Sequence, residues 1–296
     1  MILKIADMDF VFLSVDEPNA EKNFADLKRK VPWAKRVHGV KGFDTAHKKA
    51  AEVSDTDRFI TVDADTQIHD SFLSTIVDLN SLGLDNTYQL SWCGHIDLNG
   101  LRYGNGSLKC WTKDFVKNMR THENHDGEAN SENKNVIEFC HFPNYYQFND
   151  NHSVSYIDGS AYQAWRAGFR EGVKMSLNRG KRVQDINTEI WIKNLQKLLI
   201  WMNVGTDVEH GWWSCFGARH GCYLTMCTDW DTNKTRDFEL LDELWNEVEQ
   251  SNAEQLMQQY SESLIDVGVN IGMTPLEPQQ SKWFKQVYVN SPRRFK

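Results

Sequence analysis

The first part of the chain alternates between buried strands and amphipathic helices, and this order constrains the fold more than any other feature. β-Branched and aromatic residues fill 9–15 and 59–62, as in strands buried in a core. A further strand is predicted at 36–40, with a helix before it and another at 43–53, where apolar side chains recur at helical spacing. Alternation of this kind predicts the α/β class, with a mostly parallel sheet flanked by helices on both faces.

Two carboxylates, Asp63 and Asp65, follow the strand predicted at 59–62. Side chains alternate faces along a strand, so residues i and i+2 point the same way. Open α/β sheets bind ligands beyond the carboxyl ends of their strands. The pair therefore predicts a site for a hard divalent cation, Mn or Mg, that shares its oxygen ligands with phosphate. A polar turn that merely ends the strand is the alternative interpretation, because Asp is common in turns.

Taken together, these segments resemble the GT-A nucleotide-sugar glycosyltransferases, in particular glycosyltransferase family two. Members of that family have an acidic nucleoside-contacting loop after the first strand, which Asp16 and Glu17 match. A glycine-containing turn and an Ala-rich helix follow, here residues 42–51, and then a strand that ends in Asp-x-Asp, here 63–65. The resemblance covers residues 9–70 and is loose beyond them. It implies a GT-A-type, Rossmann-like sheet, a UDP-sugar donor, and Mn or Mg held by Asp63 and Asp65.

The predicted organisation is a catalytic domain over residues 1–228 with a helical C-terminal addition over 229–296. The donor half of the catalytic domain is expected at 1–110 and the acceptor half at 111–228. Residues 229–266 hold eleven acidic residues against two basic ones and are predicted to form one long amphipathic helix with a solvated acidic face. A basic, aromatic tail is predicted to follow it.

Composition indicates a soluble protein. No run of about 18 apolar residues is present, so no membrane span is expected. The acids Asp7 and Asp9 occupy positions where a signal peptide needs apolar residues. The six cysteines lack zinc-ligand spacing and are interpreted as reduced, buried thiols. The expected location is therefore the cytoplasm, the host cytoplasm if the protein comes from a phage.

Two basic segments are candidates for binding phosphate. A helix predicted to begin at Ser160 carries Arg166, Arg170 and Lys174 four residues apart, so they line one side of the helix. This stripe is either a solvated face or a grip on the donor's pyrophosphate, with Arg166 and Arg170 as donor-binding residues, or on a nucleic-acid backbone. Residues 282–296 hold five positive charges among aromatic side chains and no acid. They fit either a binding surface for single strands or a C-terminal strand with a frayed tail.

The remaining site residues rest on the resemblance more than on motifs. The segment after the metal motif shapes the acceptor site in GT-A enzymes, which makes candidates of Trp92, Asn105, Gly106 and Ser107. An ordinary Asn-Gly-Ser turn is the alternative.

Many GT-A enzymes complete the metal site with a late histidine, so His210 and His220 are candidates. His210 is favoured because two acids flank it and could orient its ring. Inverting relatives need a carboxylate base, which Asp158 or Asp207 could supply. Whether the reaction inverts or retains stereochemistry stays open.

These observations predict a metal-dependent glycosyltransferase that uses a UDP-sugar. The chain as a whole resembles the GT-A-type proteins of tailed bacteriophages, some of which glycosylate hydroxymethylated pyrimidines in DNA. That resemblance implies a DNA acceptor and UDP-glucose or UDP-arabinose as donor. Three alternatives stay open: an acceptor that is a surface glycan, lipid or protein, a catalytically inactive DNA-binding protein on the same scaffold, and a nucleotidyltransferase.

Overall fold

The computed structural model describes residues 1–104, 107–121, 136–137 and 144–290. The chain divides into two compact units. Unit 1 comprises residues 1–96 and 102–156, and unit 2 comprises residues 97–101 and 157–296. This division differs from the predicted one at residue 228, because the helices that follow residue 157 belong with the acidic segment.

Unit 1 is built around one mixed sheet. The strands described in this unit are β1 (Ile2–Lys4), β2 (Asp9–Ser14), β3 (Lys35–His38), β4 (Arg58–Asp63), β5 (Thr66–Ile68), β6 (Ile76–Asp78), β7 (Gln89–Ile96), β8 (Arg102–Tyr103), β9 (Leu108–Thr112), β10 (Arg120–Thr121), β11 (Val136–Ile137) and β12 (Tyr145–Ser155). The main sheet has the order β3-β2-β4-β9-β7-β12-β5, with β8 paired to β7. β1 pairs with β6, and β10 with β11, in two small separate ladders.

The strand directions correct the prediction of a mostly parallel, Rossmann-like sheet. β2 is parallel to both β3 and β4, and β12 is parallel to β7. β9, however, runs antiparallel between β4 and β7, and β8 and β5 also pair antiparallel. Connections of only a few residues join β7, β8 and β9. A parallel pair needs a crossover of about a dozen residues, so β8 cannot pair parallel with β7. β9 follows β8 in the same direction and therefore also pairs antiparallel with β7.

Helices cover both faces of the β2–β4 region, as predicted. They are α1 (Ala20–Lys30), α2 (Phe43–Val53) and, after β9, α3 (Lys113–Asn118). Alternate residues of each strand face opposite ways. Phe12 and Ile60 lie in the core that includes Leu27 of α1, whereas Val11 and Phe59 lie in the core that includes α2. The predicted strands at 9–15 and 59–62 and the helix at 43–53 are thus confirmed.

Unit 2 is helical in the part that the structure describes. Its helices are α4 (Ala161–Met175), α5 (Ile186–Glu189), α6 (Ile192–Asn203), α7 (Gly211–Cys227), α8 (Phe238–Glu249), α9 (Ala253–Asp266) and α10 (Pro278–Asn290). The predicted cap of α4 is confirmed, because Ser160 Oγ accepts a hydrogen bond from the backbone N–H of Gln163 at 3.1 Å. None of the described helices is long and apolar enough to cross a membrane.

The acidic segment forms two helices, so the prediction of one long helix is wrong. α8 ends at Glu249 and α9 begins at Ala253. Asn252 between them accepts a hydrogen bond from the backbone N–H of Gln255 at 3.1 Å. Its side chain thus starts a new helix, as Asn at an N-cap does.

Helices α4 and α7 pack at unusually close range through glycines. A Cβ added at Gly217 of α7 would lie 2.2 Å from the carbonyl oxygen of Trp165 in α4, and one at Gly172 of α4 would lie 2.3 Å from that of Ala218. Large aromatic side chains flank this contact, among them the fully buried Trp165 and Phe169. The glycines therefore set the distance between the two helices, because any side chain would collide with backbone.

Candidate functional site

The carboxyl ends of β2 and β4 meet where the chain reverses its direction across the sheet. From β2 the chain passes through α1 to β3 on one side, then through α2 to β4 on the other side of β2. Such a topological switch point opens a crevice beyond the strand ends, the place where open α/β sheets bind ligands. Asp63 is the last residue of β4, and Asp16 and Glu17 follow β2 within three residues. We name residues 16–17 and 63–65 the strand-end site.

The turn that carries the two aspartates is fixed by hydrogen bonds from three directions. Ala64 is 2 % exposed, and its carbonyl oxygen accepts a hydrogen bond from Asn23 Nδ2 of α1 at 2.8 Å. The Asp65 carbonyl oxygen accepts one from the backbone N–H of Tyr156 at 2.7 Å. The Thr66 hydroxyl donates to Asp65 Oδ1 at 2.9 Å. Since the backbone is held while both carboxylates stay half-buried, the turn presents two oxygen donors in a preorganised position.

Ser107 lies directly across from Asp63. The backbone N–H of Asp63 donates to the Ser107 carbonyl oxygen at 3.2 Å, one residue beyond the paired residues Val62 and Leu108. Directly opposite residues in an antiparallel pair place their side chains on the same face. The structure thus brings one predicted acceptor residue beside the carboxylate pair. Asn105 and Gly106 lie outside the described residues.

Lys109 lies on the same face as Ser107, two residues further along β9. It was not among the predicted site residues. It pairs with Thr61 of β4, and its Nζ lies 5.8 Å from the centre of the Trp111 ring. Lys109 therefore shares a face of the sheet with Ser107 and Asp63, and a cation on that face suits a site for phosphate. Only the antiparallel insertion of β9 brings it there, so no local sequence signal could have found it.

The two acids after β2 have different surroundings. Glu17 Oε2 accepts a hydrogen bond from the backbone N–H of Val15 at 2.8 Å, and the Glu17 carbonyl oxygen accepts one from Ala20 at 3.0 Å. These bonds brace the loop that leads into α1. Asp16 is exposed. Of the predicted pair, Asp16 is therefore the carboxylate exposed to solvent, and Glu17 holds the loop in shape.

A polar cluster at the ends of β2 and β3 was also missed. Arg36 Nε donates to Ser14 Oγ at 2.9 Å, and that hydroxyl lies 3.0 Å from His38 Nδ1. Arg36 also pairs with Glu21 at 2.7 Å, and the hydrogen bond from Arg36 lowers the pKa of Glu21. The sequence feature that could have indicated this cluster is the position of Ser14 and His38, each of which is the last residue of a parallel strand.

The carboxylate pair fits a divalent cation that takes its other ligands from a bound phosphate and from water. Mg²⁺ in nucleotide enzymes is usually held by one or two carboxylates together with substrate phosphates. Asp63 and Asp65 supply such hard oxygen donors. No group of three or more His, Cys, Asp or Glu side chains that could hold a metal ion exists among the described residues. His210, the residue just before α7 in unit 2, is therefore not part of any such group.

Trp92, predicted as an acceptor residue, is packed in the core of unit 1. Its side chain is 1 % exposed and lies in the core on the α1 face of the sheet. The ring stacks on Phe148 with centroids 5.3 Å apart and meets the edge of Phe72 at 4.9 Å. An alternating strand pattern shows which residues share a face, and it does not show which face is buried by the rest of the chain.

In unit 2, the predicted base Asp207 is part of a buried ion pair. Asp207 Oδ2 lies 2.7 Å from Lys285 Nζ, and Oδ1 accepts a hydrogen bond from Ser281 Oγ at 2.7 Å. The two charged side chains are 11 % and 16 % exposed. This pairing attaches α10 to the segment before α7. Asp158, the other predicted base, precedes α4 in the sequence and is half-buried. The backbone N–H of the next residue, Gly159, donates to Gln163 Oε1 at 3.0 Å.

The predicted basic stripe on α4 is used largely in packing. The guanidinium groups of Arg166 and Arg170 lie 5.3 Å and 5.0 Å from the centre of the Phe238 ring at the start of α8. Lys174 pairs with Glu171 on its own helix. Two of the three basic side chains predicted to bind phosphate are thus engaged in cation–π contacts within unit 2.

No protein-family model and no curated protein match this sequence. Among solved structures, HddC from Yersinia pseudotuberculosis complexed with GMP-PN is similar over 53 % of this chain and 96 % of its own, with 10 % identity and a TM-score of 0.33. A glycosyltransferase involved in the glycosylation of the major capsid of PBCV-1 is similar over 49 % of this chain and 91 % of its own, with 12 % identity and a TM-score of 0.28. TM-scores this low establish neither a common fold nor a common function.

Proposed function

We propose that this protein transfers a sugar from a UDP-sugar to an acceptor hydroxyl, with the donor bound at the strand-end site. The observation that carries the proposal is the placement of Asp63 and Asp65 at the topological switch point, on a turn held by Asn23, Thr66 and Tyr156. Carboxylates fixed at the end of a parallel strand are suited to bind a metal-bound diphosphate. This favours the binding site over the alternative, in which the two aspartates only end the strand in a polar turn.

Each residue of the strand-end site then has a role in the reaction. Asp63 and Asp65 would hold Mn or Mg, and a divalent ion there supplies Lewis-acid stabilisation of the departing diphosphate. Asp16, exposed after β2, lies where the nucleoside would bind, while Glu17 keeps that loop in place. Lys109 adds positive charge on the same sheet edge.

The transfer breaks the bond between the anomeric carbon and the UDP oxygen and forms a bond from that carbon to the acceptor oxygen. In an inverting reaction the acceptor's proton passes to a carboxylate base. Asp158 is the better of the two candidates, because both carboxylate oxygens of Asp207 are already engaged, one by Lys285 and the other by Ser281.

For the acceptor we propose DNA that contains hydroxymethylated pyrimidines. Support comes from the sequence of the C-terminal segment, where residues 282–296 hold five basic residues and no acid. Polyanion binding depends on such local charge more than on the net charge of the chain.

The decisive experiment is an assay of UDP release with Mn, a panel of UDP-sugars, and either hydroxymethylated or unmodified DNA, each as single strand and as duplex. Release that requires both the metal and the modified DNA would support the donor and the acceptor together. UDP release with a glycan, lipid or protein in place of DNA would show that this other molecule, and not DNA, is the acceptor. Pyrophosphate release from a sugar phosphate and a nucleoside triphosphate would establish nucleotidyl transfer instead. DNA binding with no turnover of any donor would establish an inactive scaffold.

A further inference from the structure

Helix α10 is attached to unit 2 by one face only. Ser281 is fully buried, accepts a hydrogen bond from the backbone N–H of Gly205 at 2.8 Å and donates to Asp207. One turn later, Lys285 pairs with Asp207 and donates to the Leu98 carbonyl oxygen at 3.2 Å. Residues three or four apart share a helix face, so these contacts define the attached side.

The opposite face of α10 exposes a large aromatic side chain. Trp283 is 63 % exposed, and Val287, one turn further on, is 48 % exposed. Lys282 and Gln286 are exposed beside them. The ring of Trp283 is thus accessible to a partner on which an aromatic side chain can stack.

The charge around Trp283 favours a polyanion. The helix contains no acidic residue. Beyond it the sequence adds Arg293, Arg294 and Lys296, and the last acid of the chain is Glu277. The acidity of the chain is concentrated in residues 229–266, which hold eleven acidic residues against two basic ones. Local charge therefore favours the C-terminal segment, and not the acidic segment before it, as the place where an anionic strand binds.

We propose that the exposed face of α10 binds a nucleic-acid strand, with Trp283 stacking on a base and Lys282 contacting the backbone phosphates. Aromatic platforms set among positive charges are how proteins hold single strands, because every base has a face on which to stack. A membrane surface fits less well. Interfacial helices bury a broad apolar face, whereas Trp283 and Val287 stand among the amides of Gln279, Gln280 and Gln286.

This surface would contact the acceptor of the proposed function, yet its test does not depend on that function, because binding is measured without a donor. The measurement is fluorescence anisotropy of a labelled single-stranded oligonucleotide titrated with the full-length protein. Trp283→Ala is expected to weaken binding by about 5- to 100-fold, the range for loss of one base–aromatic stack. Lys282→Ala is expected to weaken it less and to reduce the salt slope by about one charge unit.

A matched control lies elsewhere in unit 2. Trp191 is 58 % exposed, and Lys193 and Lys197 lie 5.4 Å and 5.8 Å from its ring centre. Trp191→Ala therefore removes an equally exposed tryptophan beside lysines and should leave the affinity unchanged. Equal effects of the two Trp substitutions, or no effect of Trp283→Ala, would overturn the proposal. So would binding to phosphatidylserine vesicles with none to the oligonucleotide. DNA binding that depends on Trp283 with no UDP release would uphold this surface and refute glycosyl transfer.

Discussion

The strand-end site of unit 1 and the surroundings of α4 and α7 in unit 2 contain the same kinds of polar residue in opposite situations. At the strand-end site, Asp63 and Asp65 are half-buried on a turn whose backbone is fully anchored. In unit 2, Asp207 pairs with Lys285 and His220 is buried among aromatic rings. Residue type therefore does not separate a binding site from a structural network. The two regions differ in how their aspartates are held: the turn with Asp63 and Asp65 is held mainly through backbone carbonyl groups, whereas the Asp207 carboxylate itself forms an ion pair with Lys285.

The sharpest test of this comparison is the substitution Asp65→Asn. It keeps the size of the side chain and its contact with Thr66 but removes one negative charge from the proposed metal site. We expect UDP release to fall by about 100- to 1000-fold, the range for losing one interaction with transition-state charge, while the melting temperature stays unchanged. The measurement is steady-state kinetics at limiting Mn together with thermal unfolding.

The matched control for Asp65→Asn is Asp57→Asn at the other end of the same strand. Asp57 is an exposed carboxylate just before β4, so its neutralisation should leave both activity and stability unchanged. Full activity of Asp65→Asn at low metal concentration would end the metal assignment.

The second prediction concerns the glycine contact in unit 2. Gly217→Ala would place a Cβ 2.2 Å from the Trp165 carbonyl oxygen, so α4 and α7 must move apart. We expect a loss of about 2–3 kcal/mol in the free energy of unfolding, since overpacking outweighs the better helix propensity of Ala. Gly272→Ala is the control, because its added Cβ would meet its nearest neighbour at 3.5 Å. Equal urea midpoints for the two variants would contradict the role given to this contact.

Much of unit 1 could be predicted because its signals are local. The strands at β2 and β4 and the helix α2 follow from the spacing of apolar residues, and Ser160 follows from the preference of helix caps. The division of the acidic segment was missed although Asn252, a good N-cap residue, marks it. Amphipathic spacing continued on both sides and concealed the break.

The contacts that the sequence could not indicate lie where distant parts of the chain meet. The burial of Trp92 depends on Phe72 and Phe148, and the position of Lys109 depends on the direction of β9. The pairing of Asp207 with Lys285 joins segments on either side of three helices. Spacing along one segment carries no information about these contacts, so a candidate base and a structural carboxylate look the same in sequence.

The third prediction asks whether Asp207 is structural. Asp207→Asn leaves Lys285 without its anionic partner in a place where both side chains are at least four-fifths buried. We expect a loss of about 1–3 kcal/mol in the free energy of unfolding, below the range for a fully buried pair, and unchanged turnover per folded molecule. Glu209→Gln, two residues away and exposed, should change neither quantity. Unchanged stability with lost turnover would instead establish Asp207 as the catalytic base.

The smallest expected effect is on the pH dependence of stability, through His220. Burial lowers the pKa of His220 from 6.5 to about 3. As the pH falls below 6.5, the unfolded chain binds a proton at this histidine that the folded protein does not bind. The free energy of unfolding is therefore highest above pH 6.5 and decreases as the pH falls towards the folded pKa. The slope contributed by one such histidine is at most about 1.4 kcal/mol per pH unit. Burial lowers the pKa of His47 in unit 1 to about 3 as well, and burial also lowers the pKa of His152, so these histidines add to the slope of the wild type.

His220→Phe keeps a ring in the aromatic cluster of unit 2 and removes the titrating group. Urea denaturation at pH values on both sides of 6.5 measures how the free energy of unfolding changes with pH. In the variant this change should correspond to one proton fewer bound on unfolding, with the contributions of the other buried histidines retained. Identical slopes for the wild type and the variant would show that His220 is protonated in the folded state. The aromatic surroundings of His220 would then contain a buried charge, and the contrast drawn between the two units would no longer hold at this residue.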